Sequence, residues 1–204
     1  MAAAEAFVYG VDARLRIDPG DGKAFGEMLA FLKDLGEAPA LAPATNIAVI
    51  DNGSPLLPEA LNLLVRRNLL FRLVSAPDPK ADLNVTIGSP EFPAAEAADP
   101  AAFASKVRTR LTDSKRLLRI YGSEVVLGRL LLGAGRARVH LLNYGGEKVE
   151  GVRVRVRGKY GVDRLAVFGY AGAKPEDYVI EGGATEFTIP EMGIYTVVDL
   201  KTAP

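Results

Sequence analysis

The sequence predicts two architectures in series: an α/β unit built on a parallel sheet, then a small antiparallel β-sandwich. Two observations carry this fold class, α/β plus all-β. Through residues 45–121 short apolar runs alternate with stretches of helical period, and from about residue 122 the period becomes two-fold, with glycine-bearing turns and no helix between them. The length, 204 residues, leaves room for two cores that need no disulfide or metal to hold them.

The elements follow in order. After the turn cluster Asp18-Pro19-Gly20-Asp21-Gly22, the residues Phe25, Met28, Leu29, Leu32 and Leu35 recur at three- and four-residue spacing, which predicts an amphipathic helix ending at Gly36. Asn46-Ile47-Ala48-Val49-Ile50-Asp51 is a short apolar run between turn residues and suits a strand buried on both faces. Leu57, Leu61, Leu64 and Val65 mark a helix with Pro58 and Glu59 in its first turn, and residues 70–74 return as a strand, completing a β-α-β unit. A second unit follows: a strand over 83–87, a helix over 100–111 capped by Asp99-Pro100, and a strand over 117–121. The connection 75–82 is too polar and proline-rich for a crossover helix, so the pattern is that of an eroded flavodoxin-like sheet. Strands over 124–132, 136–142, 149–157, 164–168, 186–189 and 194–200 complete the sandwich. These patterns divide the chain into a leader (1–44) whose helix packs on the next domain, an α/β domain (45–121) and a sandwich (122–204).

Lys plus Arg and Asp plus Glu balance at 25 each, so no long-range field draws the chain to nucleic acid or to an anionic membrane. With no cysteine, thiol nucleophiles, disulfides and thiolate metal sites are excluded. The first ten residues carry no basic region and no sustained apolar run, so they do not read as a signal peptide, and no stretch is apolar for long enough to span a bilayer. The compartment stays open; it is extracytoplasmic if a signal precedes this sequence.

Two loops are candidates for ligand binding. Asp51-Asn52-Gly53-Ser54-Pro55 follows the first parallel strand and Gly88-Ser89-Pro90-Glu91 follows the third, where open α/β sheets place ligand loops. Asp51, Ser54, Ser89 and Glu91 would line such a mouth. The same residues also serve as ordinary turn chemistry, and no G-x-G-x-x-G phosphate fingerprint or G-x-S-x-G nucleophile elbow accompanies them. No cofactor is indicated. His140, the one histidine, alternates with Arg136 and Arg138, which predicts a surface or interface position on the polar side of a strand. If strands 136–142 and 149–157 pair as a hairpin, Arg136 and Arg138 fall beside Arg153, Arg155 and Arg157. That basic face would dock an acidic partner unless an internal acid such as Glu186 compensates it or the flexible, hydrated arginines spread apart in solvent and need no partner.

The segment Ser114-Lys115-Arg116-Leu117-Leu118-Arg119-Ile120-Tyr121-Gly122-Ser123-Glu124-Val125-Val126 resembles the C-terminal region of bacterial glycoside-hydrolase-type proteins, as does Arg136-Ala137-Arg138-Val139-His140-Leu141-Leu142-Asn143-Tyr144. In these a catalytic barrel precedes a glutamine-amidotransferase-like domain and a small sandwich. Glu186-Phe187-Thr188-Ile189-Pro190 and Tyr195-Thr196-Val197-Val198-Asp199-Leu200 fit the last strands of such a sandwich. The resemblance covers residues 45–200. It implies a non-catalytic accessory part: the family's catalytic carboxylates lie in a barrel that this sequence does not contain, and the amidotransferase-like part would lack its cysteine nucleophile. The expected partners are an upstream catalytic domain or further copies of the chain, and carbohydrate is the ligand class. The other reading is a small-molecule or sugar-binding module that uses the two loops.

Overall fold

A strand buried on both faces must be apolar at every residue, and β2 (Ile47–Ile50) is. In the structure, a computed structural model that describes residues 1–203, β2 is the centre of a three-stranded parallel sheet. It lies between β3 (Phe71–Val74) and β4 (Leu83–Val85). Helices α3 (Leu57–Arg66) and α5 (Pro100–Leu111) bury Leu57, Leu64, Phe103, Val107 and Leu111 in one cluster with Ile47 and Val49. Asp99 caps α5 through its side chain, Oδ1 accepting from the amides of Ala101 and Ala102 at 3.1 and 3.0 Å. Residues 75–82 contain no helix, and the single turn α4 (Ala94–Ala97) precedes α5.

The strand after α5 departs from expectation. Residues 117–121 are predicted to close the second β-α-β unit, but β5 (Leu118–Tyr121) leaves the parallel sheet and pairs antiparallel with β8 (Val149–Arg157). The cause is its two-fold pattern. Leu118 and Ile120 face apolar partners while Arg119 lies between them, and a parallel strand buried on both faces has no place for that guanidinium. Arg119 instead pairs with Asp113 at 3.1 Å and rests on the Tyr121 ring.

The sandwich has a four-stranded sheet, β10-β11-β8-β5, and a five-stranded sheet, β1-β6-β7-β12-β9. The former adds β10 (Glu176–Glu181) and β11 (Ala184–Met192), and the latter comprises β1 (Ala42–Pro43), β6 (Val126–Gly133), β7 (Arg136–Asn143), β9 (Tyr160–Val167) and β12 (Tyr195–Thr202). Alternate residues such as Val139, Leu141, Val152, Val154, Phe187, Ile189 and Val198 fill the space between the sheets.

The leader also differs from expectation. Helix α2 (Gly22–Leu35) forms over the predicted span, and α1 (Ala2–Tyr9) precedes it. The buried side chains of both helices lie on the sandwich: Ala4, Val8, Met28, Leu32 and Leu35 cover Leu142, Tyr195 and Val197 on the outer face of the five-stranded sheet. That face is therefore buried as well, which makes seven of the eight residues of β7 buried.

The α/β unit is inserted between two sandwich strands, β1 before it and β5 after it, and polar side chains fasten it there. Asn68, in the left-handed region at φ 53° and buried, donates Nδ2 to the Val126 carbonyl at 3.1 Å and accepts from the Gly128 amide through Oδ1 at 2.7 Å. A Cβ at Gly128 would lie 2.5 Å from the end of the Leu118 side chain and 2.7 Å from that of Ile120, so a larger residue there has to displace both. Buried Arg116 donates to the Arg67 carbonyl at 2.7 Å, and Asn46 donates to Asp82 and to the Lys115 carbonyl. Replacing Asn68 with alanine strands a buried carbonyl and a buried amide, so Asn68→Ala should lower the unfolding free energy by about 2 to 4 kcal/mol in urea titration. Asn68→Asp should lose the donor to Val126 and fall in the same direction. A loss below about 0.5 kcal/mol in both variants would show that this fastening contributes nothing.

Candidate functional site

The loops after β2 and β4 do come together: Asn52 Nδ2 donates to the Ile87 carbonyl at 2.8 Å. Within them, each residue predicted to line a ligand mouth is engaged locally. Asp51 Oδ1 accepts from the Gly53 amide at 3.1 Å, Ser54 Oγ from Leu56 at 3.4 Å, and Ser89 Oγ from Phe92 at 3.1 Å. Glu91 pairs with Arg110 on α5 at 3.4 Å. These are Asx- and Ser-turn contacts that shape the loop backbone. Among the described residues, no group of three or more His, Cys, Asp or Glu side chains converges to hold a metal ion, and no helix is long and apolar enough to cross a membrane.

The arginine face is arranged differently from the predicted hairpin. β7 and β8 belong to opposite sheets, so Arg136 and Arg138 do not lie beside Arg153, Arg155 and Arg157. The intervening turn carries the chain across the sandwich because both strands need apolar partners on the inner side. Each arginine finds an acid within the chain: Arg136 with Asp163, Arg138 with Asp199, Arg153 and Arg155 with the two oxygens of Glu186, and Arg157 with Asp82. Opposed cation pairs do occur elsewhere: Arg119 faces Arg155, drawn apart by Asp113 and Glu186, and Arg136 faces Lys201, with Asp163 answering both. The unpaired basic face that motivated docking is therefore not formed. Asp113 receives Arg108, Arg116 and Arg119, and the Arg108 hydrogen bond first of all lowers its pKa to about 2.

His140 is the largest departure from the sequence reading. It is 2% exposed, because the outer face of its strand lies under α1 and α2. Its Nδ1 is 2.7 Å from the hydroxyl of fully buried Tyr195, the two rings are nearly parallel, and Phe7 meets it edge-on. Burial, helped by the charges of Arg138 and Arg129, lowers its pKa to about 3, so the ring is neutral across the physiological range. Beside it, Arg138 makes a two-point contact with Asp199 at 2.6 and 3.1 Å and donates to the Gly36 and Leu35 carbonyls at the end of α2. The guanidinium thus joins a helix C-terminus to a carboxylate across the sheet. The apolar/polar alternation of β7 signals one solvated face, and only the apolar stripe of α2, which must cover something, hints at its burial.

No protein-family model matches the sequence, and no curated protein matches it by sequence. By structure, the whole chain (100%) matches 57% of the chain of α-L-fucosidase isoenzyme 2 from Paenibacillus thiaminolyticus, with a TM-score of 0.68 at 11% sequence identity. The chain therefore spans a little over half the length of that protein, and the likeness is one of fold. Two amylases match far more loosely. The α-amylase from H.orenii covers 56% of this chain and 21% of its own at 14% identity and a TM-score of 0.25. The maltogenic α-amylase AmyB from Thermotoga neapolitana covers 99% and 49% at 9% identity and a TM-score of 0.26.

The neutral, buried histidine makes a prediction about pH. Its pKa is lower folded than unfolded, so the unfolded chain binds the extra proton between the two values, and stability is complete above about pH 6.5 and falls as pH drops toward 3. Between pH 8 and pH 5, above the range of most carboxylates, His140 should contribute a loss of about 2 kcal/mol. Urea titrations at both pH values should show this fall in the wild type and its absence in His140→Gln. Equal pH dependence in the two proteins would show that His140 titrates normally in the fold.

Proposed function

We propose that this chain is a non-catalytic structural or interaction module, the accessory C-terminal part of a carbohydrate-active protein. One observation carries the reading: the polar side chains that a catalytic reading would recruit are committed to holding the chain's own parts together. Asp51, Ser54 and Ser89 fix loop backbone, Glu91 and Asp82 hold arginines, and the arginines of β7 and β8 answer acids across their own sheets or at the junction. A body so cross-fastened suits a rigid platform that shapes the rim of a neighbouring catalytic domain. The fold likeness to a fucosidase, of which this chain matches a part, supports a carbohydrate-active parent.

The second reading, a small-molecule or sugar-binding module, is favoured by the Asn52–Ile87 bond, which sets the two loops side by side at the carboxyl ends of β2 and β4. Assay separates the two. The isolated chain should turn over no chromogenic glycoside, ester or amide above background, and Asp51→Asn and Glu91→Gln should leave its thermal transition unchanged on addition of monosaccharides. Turnover abolished by either substitution would overturn the structural reading, and a saccharide-dependent stabilisation abolished by either would establish the binding one.

A further inference from the structure

A cavity of about 560 Å³ lies between α1, the segment after α2, and the outer face of β6 and β7, where the helices do not cover the sheet. Arg129 and His140 are direct cross-strand neighbours on its floor. Arg138, which also lines it, is fully engaged by Asp199 and by the end of α2. Arg129 is not. Half-buried, it has among the described residues no carboxylate within ion-pairing distance and no hydrogen-bond partner; its guanidinium lies over the Tyr9 ring, 5.0 Å from the centroid. Such stacking fixes the plane of the group and leaves its N–H edge open, while burial of an unanswered cation is costly unless an anion arrives.

His140 adds a second donor. The Tyr195 hydroxyl is buried and, among the described residues, has no partner other than Nδ1, so its proton is satisfied only by donating there. Nδ1 is then the acceptor, and the single proton of the neutral ring sits on Nε2, which makes no hydrogen bond within the described chain. The floor thus offers two neighbouring donors and no acceptor. Around it the chemistry changes: the Phe7 and Tyr9 rings form a wall, and exposed Asp12 and Glu37 stand at the rim as acceptors.

We propose that this cavity binds a small polyhydroxylated oxyanion, a sugar carboxylate or sugar phosphate, with its charge held by Arg129 and the Nε2–H of His140. The hydroxyls reach the rim carboxylates, and the ring's apolar face lies on Phe7 and Tyr9. The site uses none of the residues of the loops after β2 and β4 and does not depend on the role proposed above.

Because the chain has one histidine, its imidazole signals in ¹⁵N-labelled protein report this site alone. The free protein should show the Nε2–H tautomer. Titration with glucuronate and with glucose 6-phosphate should move the Nε2 signal saturably at millimolar concentration, and whichever moves it at lower concentration identifies a carboxylate or a phosphate as the preferred charge. Glucose should leave it unmoved. Arg129→Gln should weaken the response by at least about tenfold while the tautomer, set by Tyr195, stays the same. The wild-type titration decides without the variant: no shift with either anion up to about 20 mM, a shift as large with glucose, or a free protein in the Nδ1–H tautomer would each overturn the proposal. So would a folded Arg129→Gln protein that binds as the wild type does.

Discussion

The fold depends on how the open edge of β6 is closed. A sheet edge presents unpaired amides and carbonyls, and here they face outward at every second residue from Val126. No full strand covers them. The Asn68 side chain takes the Val126 carbonyl and the Gly128 amide, the Ala44 amide takes the Leu130 carbonyl at 2.9 Å, and the two residues of β1 pair at Leu131 and Leu132. A primary amide offers one donor and one acceptor in one plane, as a peptide group does, so Asn68 stands in for a strand residue. Its left-handed backbone at the end of α3 is what aims it there, and asparagine tolerates that conformation better than most residues.

This makes the α/β unit part of the sandwich's closure. The chain leaves the sandwich after β1, builds the parallel sheet and returns as β5 in the opposite sheet, so the insertion is anchored at both ends. Arg116 and Asp113 tighten the return: the guanidinium holds the carbonyl that ends α3, and the carboxylate gathers three arginines where α5 gives way to β5. On the other side, α1 and α2 turn an outer sheet face into a second interior, where Arg138, Asp199, His140 and Tyr195 are buried only because each is answered by another. The same cover is incomplete over Arg129, and that incompleteness forms the cavity.

Local patterns were legible and distant partners were not. The β2 run, α2 with its glycine stop and the capped α5 are written in neighbouring residues, and each forms where its pattern places it; the two-fold period finds the sandwich strands except β1 and β10 and starts β9 four residues late. Whether Leu118 to Tyr121 continues a parallel sheet or joins an antiparallel one depends on Val154 and Val156, more than thirty residues away. The boundary between the units, placed by sequence after residue 121, therefore misses that β5 already belongs to the sandwich. His140 and the arginines depart from the sequence reading for two reasons: alternation says which side chains share a face, but neither what covers that face, as at His140, nor which strand lies alongside, as for the arginines of β7 and β8. Glu186 is the acid that the sequence offers to quiet the arginines, and it lies between Arg153 and Arg155. Arg129, flanked by Gly128 and Leu130, carried no signal in sequence.

If Asn68 and its neighbours make the inserted unit and the sandwich one cooperative body, the centre of β2 cannot open while β7 stays closed. Native-state hydrogen exchange tests this at the amides of Val49 and of Val139 as denaturant rises. The account predicts that both exchange only through global unfolding, with the same free energy and the same denaturant dependence. Exchange at Val49 through an opening that leaves Val139 protected would contradict it, and would make the α/β unit an appendage of the sandwich.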